Sequence, residues 1–134
     1  MERYETSNLY HAWYEHWHRY HWIAPWLKNK CVADMACGEG YGSALLAQQA
    51  QSVVGVDLDR NTIRKAQKKY QKTDNLSYQY HDILDSKLAS DSMDVVVSFE
   101  TLEHLYDQQK LLSEFKRVLK DDGLVVISTP DKAV

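Results

Sequence analysis

The residues best suited to chemistry stand just after short apolar runs. Val32-Ala33-Asp34-Met35-Ala36-Cys37-Gly38-Glu39-Gly40-Tyr41-Gly42 sets three alternate glycines behind an acid, Asp34. Glycine lets the backbone turn tightly and lets a ligand approach it, because no Cβ intervenes. The helix start that follows offers unpaired N–H groups. A dinucleotide fingerprint reads GxGxxG/A, and here the third position falls on Ser43, an imperfect match. An acid ahead of the glycines would repel a pyrophosphate and attract an ammonium or sulfonium group. The turn therefore points away from a nicotinamide dinucleotide and toward a cationic, phosphate-free ligand. A tight strand-to-helix turn with no ligand is the plain structural alternative.

Further candidates follow in order. Val53-Val54-Gly55-Val56-Asp57-Leu58-Asp59 ends on an acid able to accept hydrogen bonds from two ribose hydroxyls. Asp57 could instead cap a helix, although Asp59 fits that need better. His81-Asp82-Ile83 follows another apolar run, and Asp94–Phe99 leads into Glu100-Thr101-Leu102-Glu103-His104-Leu105. His104 and Glu103 are the general-base candidates, since a base for a hydroxyl acceptor should titrate near neutrality. Packing or capping of a short helix is the alternative for His104.

These residues need a scaffold that brings the ends of several strands together. Strands are predicted over Cys31–Ala36, Ser52–Asp57, Leu76–His81, Met93–Phe99 and Leu124–Ser128, each nearly continuous in apolar character and so buried on both faces. Helices are predicted over Leu9–Trp22, Ser43–Gln51, Arg60–Lys72 and Gln108–Lys120. Asp59 and Asp107 stand at N-cap positions, and Asp122-Gly123 serves as a stop for the last helix. The inward stripes are Ile63, Ala66, Gln67 and Tyr70 on the third helix, and Leu111, Leu112, Phe115, Val118 and Leu119 on the fourth. Strand–helix alternation means an α/β fold: a doubly wound parallel sheet with helices on both faces and ligands at the carboxyl ends of the strands.

With these motifs in place, the chain resembles the class I, Rossmann-like S-adenosylmethionine-dependent methyltransferases of the type 11 kind, over about residues 10–131. Val32–Gly42 is similar to the family's first motif, except at Ala36, where the family more often has glycine. The resemblance implies a sheet order of 3-2-1-4-5, S-adenosyl-L-methionine as cofactor and S-adenosyl-L-homocysteine as product. It implies cofactor contacts at Asp34, Ala36, Gly38 and Gly40. Asp57 would hold the ribose and Leu58 would pack on adenine. Asp82 would accept from the adenine amine and Ile83 pack beside it, while Ser98, Phe99 and Glu100 would act mainly through backbone. The segment Phe115–Leu124 is similar to the family's last helix and its glycine turn into the fifth strand.

The N-terminal third is aromatic: all four tryptophans precede residue 27. Tyr10, Trp13, Trp17, Tyr20 and Ala24 share one helical stripe, which predicts docking on the domain, a lid over the cleft, or both. His16-Trp17-His18-Arg19-Tyr20 resembles an N-terminal segment found in part of the family. That resemblance implies that Arg19 pairs with the cofactor carboxylate, flanked by Tyr20 and His16. His11, His18 and His21 lie on the adjacent face without metal-site spacing, so no metal is expected. Arg60, Arg64, Lys65, Lys68, Lys69 and Lys72 leave the third helix without an acid; this is a solvated face or a docking patch for an acidic acceptor or partner.

The 134 residues fit one domain, with residues 1–30 as a helical lid and 31–134 as the core. The net charge of −3 supplies no overall field for nucleic acid, and no apolar run approaches the ~20 residues that span a bilayer. Cys31 and Cys37 fit no redox or zinc spacing and read as reduced thiols of a cytoplasmic protein. The expected activity is methyl transfer to a small-molecule acceptor, with a sugar or glycan suggested by similar segments in relatives. A non-catalytic S-adenosylmethionine-binding or assembly domain and an NAD(P)-dependent oxidoreductase are the competing readings. The family's usual sixth and seventh strands find no residues here. That predicts either a fragment of a longer enzyme or a homodimer formed through an exposed sheet edge.

Overall fold

The computed structural model describes residues 17–99 and 107–128. Five parallel strands form one sheet in the order β3-β2-β1-β4-β5: β1 Cys31–Met35, β2 Ser52–Asp57, β3 Leu76–Tyr80, β4 Met93–Phe99 and β5 Leu119–Ser128. The order places β1 and β4 side by side, with Val32, Ala33 and Asp34 opposite Val95, Val96 and Val97. Here the winding reverses, and the carboxyl ends of β1, β2 and β4 converge.

Helix α1 is described over residues 17–23 and passes into a 3₁₀ turn at Ala24–Leu27. Helices α2 (Tyr41–Ala47), α3 (Arg60–Lys69) and α4 (Gln108–Val118) follow. The expected caps are present: Asp59 Oδ1 accepts from the Thr62 N–H at 3.1 Å, and Asp107 Oδ1 from the Lys110 N–H at 2.9 Å. On one face, Tyr20, Ile23 and Leu27 pack with Leu46, Val53, Val97 and Phe99. On the other, Leu111, Phe115 and Val118 of α4 pack with Met35, Val56, Val96 and Ile83. Burial of each such side chain stabilises by roughly 1.5–3 kcal/mol.

The ends of several elements differ from expectation. Helix α2 begins at Tyr41 rather than Ser43, because Gly40 supplies a left-handed cap at φ 89°. The last helix stops at Val118. Leu119, expected on its apolar stripe, already pairs with Met93 as the first residue of β5, so Asp122-Gly123 lies inside that strand, next to a register irregularity. Leu112 also leaves the predicted stripe and is exposed, while Glu114 is buried in its place. Glu114 is satisfied there. The Ser86 N–H and Oγ donate to Oε2 at 2.8 and 2.6 Å, and Arg117 Nε donates to Oε1 at 2.7 Å. The Arg117 bond, followed by those from Ser86, holds the Glu114 carboxyl down at about 2. This ties the crossover before β4 to α4.

Trp22 and Trp26 stay 64% and 72% exposed and, with Leu124, line a 590 Å³ groove beside β5. Both cysteines are free, Cys37 buried and Cys31 partly so. No helix among the described residues is long and apolar enough to cross a membrane.

Candidate functional site

The glycine turn is held from within. The Ala36 and Cys37 N–H groups donate to Val56 O at 2.8 and 3.0 Å, and Gly40 N–H donates to Cys37 O at 3.1 Å. Gly38 N–H donates to Asp57 Oδ2 at 2.9 Å, and the other Asp57 oxygen accepts from Asp59 N–H, also at 2.9 Å. These four amides of the turn are therefore spent on protein acceptors. A pyrophosphate would need such amides unpaired, and it would meet a carboxylate as well. Asp57 is only partly buried, so its remaining lone pairs stay within reach of a ligand's hydroxyls.

Ala36 adopts φ +69° and Gly38 φ +57°. Alanine in the left-handed region costs about 1–2 kcal/mol. Glycine would relieve that cost while losing more chain entropy and a half-buried methyl group. Ala36→Gly is therefore expected to raise stability by about 0.5–1 kcal/mol, read as a higher urea midpoint at constant slope.

Asp34 is fully buried beneath the turn. Tyr20 Oη donates to its two oxygens at 3.1 and 3.0 Å, and Ser43 Oγ donates at 2.7 Å. Burial pushes the Asp34 carboxyl up to about 6; the Ser43 and Tyr20 bonds oppose the shift and Asp57 adds to it. Asp34 is thus a buried charge under the turn rather than an open contact. Tyr20, expected beside a cofactor carboxylate, has its hydroxyl on Asp34 and its ring among the core residues, 4.8 Å from the Phe99 ring in an edge-on arrangement.

The ring also explains the third glycine. A Cβ on Gly42 would stand 2.2 Å from Tyr20 Cζ, so Gly42 makes room for Tyr20 rather than for a ligand. Two further supports went unseen in the sequence. Tyr78 Oη donates to Gly40 O at 2.5 Å. Gly55 lets Tyr78, Cys37 and Ser43 meet over β2, since a Cβ there would come within 2.9 Å of each. A lone glycine inside an apolar strand was the available signal.

The other candidates fall into three groups. Leu58 is 61% exposed beside Asp57, an apolar side chain held in water at the strand end. Arg19 is partly buried and lines a small cleft with Phe99 and Ser128 at the ends of β4 and β5. Asp82 is exposed and its Oδ1 accepts from the Leu84 N–H at 2.9 Å in a local turn. Ile83 is instead buried against the α4 core, and Phe99 against the opposite one. Ser98 is buried, and its hydroxyl has no hydrogen-bond partner among the described residues. Glu100, Glu103 and His104 lie outside the described residues, as do Tyr10, His11, Trp13 and His16. His18 and His21 are exposed, and the His21 ring lies 3.8 Å from that of Trp17.

Known proteins share this fold. A curated relative from Mycolicibacterium smegmatis, bearing the name of an S-adenosylmethionine-dependent methyltransferase, is 35% identical over 122 residues, covering 87% of this chain and 46% of its own length. The YcgJ protein of Bacillus subtilis superposes with a TM-score of 0.76 at 23% identity, over 82% of this chain and 49% of its own. Phosphoethanolamine N-methyltransferase 1 of Haemonchus contortus, solved with phosphoethanolamine and S-adenosylhomocysteine, superposes with a TM-score of 0.69 at 28% identity, over 77% of this chain and 22% of its own. The chain thus spans about half the length of the curated relative, or less. The family model described as "Methyltransferase domain" matches residues 33–127, from the strand before the glycine turn to the end of β5, and the chain belongs to that methyltransferase domain family.

Proposed function

We propose that the chain binds S-adenosyl-L-methionine at the carboxyl ends of β1, β2 and β4 and serves the transfer of its methyl group to a small-molecule acceptor. The observation that carries this reading is the pair of acids at the glycine turn. Asp57 closes the turn on Gly38 N–H, and Asp34 sits buried below it. That pairing suits a sulfonium and a ribose and opposes a pyrophosphate. It favours this reading over a nicotinamide-dependent oxidoreductase.

When bound, the cofactor supplies a sulfonium-activated methyl group. The residues present fit it. Asp57 has acceptor capacity left for the ribose hydroxyls, and Leu58 offers an exposed apolar surface to the adenine face. Asp34 acts through the low-dielectric interior, without contact, as a negative charge favouring a nearby cation. Arg19 stands at the strand ends, where its guanidinium can take a carboxylate in bidentate fashion. Methyl transfer then needs in-line approach and exclusion of water more than elaborate catalytic groups, and α1, anchored by the Tyr20–Asp34 hydrogen bond, would help to exclude water.

A pH dependence follows from Asp34. Its carboxyl titrates at about 6 in the fold against 3.8 as the ordinary value. The native state therefore holds the proton longer than the unfolded chain, and unliganded stability falls by about 3 kcal/mol as pH rises through that window. A bound cation stabilises the ionised form. Cofactor affinity should weaken on acidification below pH 6, approaching roughly tenfold per pH unit, with proton release on binding near pH 6. Calorimetric titration with S-adenosylmethionine across this range, in two buffers of different ionisation enthalpy, tests it. A pH-independent affinity would remove Asp34 from the site's electrostatics. NADH binding detected by its fluorescence would favour the oxidoreductase reading instead.

A further inference from the structure

Outside the strand-end site, one concave surface combines rings, cations and hydrogen-bonding groups. Thr62, Lys65 and Lys69 recur at helical spacing on α3 and, with Glu39 of the glycine turn, line a 250 Å³ pocket. Glu39 and Lys69 also line the adjoining 480 Å³ pocket, whose walls include Tyr41 of α2, Gln48 just past its end, Tyr70 at the end of α3, and Trp17 of α1. The two pockets share Glu39 and Lys69, which makes them neighbouring parts of a groove beside α3.

The cations there are unspent on carboxylates. No acid lies between Arg60 and Lys72, and among the described residues neither Lys65 nor Lys69 forms an ion pair. Lys69 Nζ instead lies 5.4 Å from the Tyr70 ring centroid. Among the described residues that line the two pockets, Glu39 is the one carboxylate. The basic helix, which the strand-end chemistry does not use, therefore ends in a groove walled by aromatic rings.

We infer that this groove is a binding site for a phosphorylated sugar. Lys65, Lys69 and the Thr62 hydroxyl would take the phosphate as charge-assisted donors. The faces of Tyr41, Tyr70 and Trp17 suit the C–H faces of a sugar ring. Glu39 and Gln48 offer the hydroxyl partners that a bare phosphate lacks, and Glu39 disfavours a ligand that is anionic along its whole length. That last point selects a small monophosphate over a polyanionic nucleic-acid strand. The inference does not rest on methyl transfer, since of these residues only Glu39 and Tyr41 belong to the glycine-turn motif and neither is assigned a cofactor contact.

The test is titration of the whole chain with glucose 6-phosphate, galactose 1-phosphate and ribose 5-phosphate, with glucose, inorganic phosphate and a short single-stranded RNA as the other arms. Amide chemical shifts of α2 and α3 provide the readout. At least one sugar phosphate is expected to bind saturably below roughly 10 mM, about tenfold more tightly than either glucose or inorganic phosphate. A Lys65→Ala/Lys69→Ala double variant, altered only at exposed positions, should lose about tenfold in that affinity with an unchanged thermal midpoint. S-adenosylhomocysteine should not displace the sugar phosphate. The inference is overturned if no sugar phosphate saturates, if inorganic phosphate binds as well, if RNA binds more tightly, if the double variant binds normally, or if S-adenosylhomocysteine competes.

Discussion

Gly42→Ala is expected to destabilise the protein by about 3 kcal/mol, although it adds a single methyl group. The new Cβ would stand 2.2–2.5 Å from three atoms of the Tyr20 ring. No small shift accommodates that. Tyr20 is held by Phe99 on one side and by Asp34 at its hydroxyl. Moving the ring releases both contacts, leaves Asp34 with Ser43 as its remaining side-chain donor, and frees α1 from the sheet. Gly38→Ala provides the contrast. Its Cβ would meet nothing within 4 Å, so it carries only the backbone cost of φ +57°, about 1 kcal/mol. Urea unfolding followed by tyrosine and tryptophan fluorescence would rank the two variants. Equal losses would show that Tyr20 does not occupy this position.

The second large effect is on ligand binding. Asp57→Ala removes the acceptor for Gly38 N–H and Asp59 N–H and with it the proposed ribose contact. The expected loss in S-adenosylmethionine affinity is about 2–3 kcal/mol, or roughly 30- to 150-fold. Asp59→Ala, two residues on, removes only the cap on Thr62 and should cost about 1 kcal/mol of stability with little change in affinity. Parallel calorimetric titrations of the two variants separate the roles. Similar affinities would refute the ribose assignment to Asp57.

Much of the scaffold was legible because its strands are short β-branched runs. Val53–Val56 and Val95–Val97 are buried on both faces, as an apolar run without alternation implies, and their order in the sheet follows from the crossovers. Element ends were harder. Leu119 continues the helical spacing of Phe115 and Val118, yet its pairing with Met93 makes it strand. Periodicity sees one segment at a time and cannot weigh a partner 26 positions away. For the same reason Leu112 was expected inside, and Glu114 was not named on the inward stripe. The buried position belongs to Glu114 because Ser86 and Arg117 satisfy its carboxylate.

The site divides similarly. The positions of Asp34 and Asp57 near the ends of β1 and β2 could be read from the motif, because each stands at the end of a short apolar run. The partners of Asp34 could not. Tyr20 lies 14 residues earlier, on a helix whose aromatic stripe announced burial without naming its target. Gly42 and Gly55 likewise looked like turn and strand glycines, whereas their role is to leave room for Tyr20 and Tyr78.

If the acids around the glycine turn hold S-adenosylmethionine, calorimetric titration of the unmodified chain at pH 7.5 will detect it. Saturable binding is expected at sub-millimolar ligand, with S-adenosylhomocysteine competing for the same site and NADH failing to displace either. Absence of binding at sub-millimolar S-adenosylmethionine, in a chain shown to be folded, would contradict it.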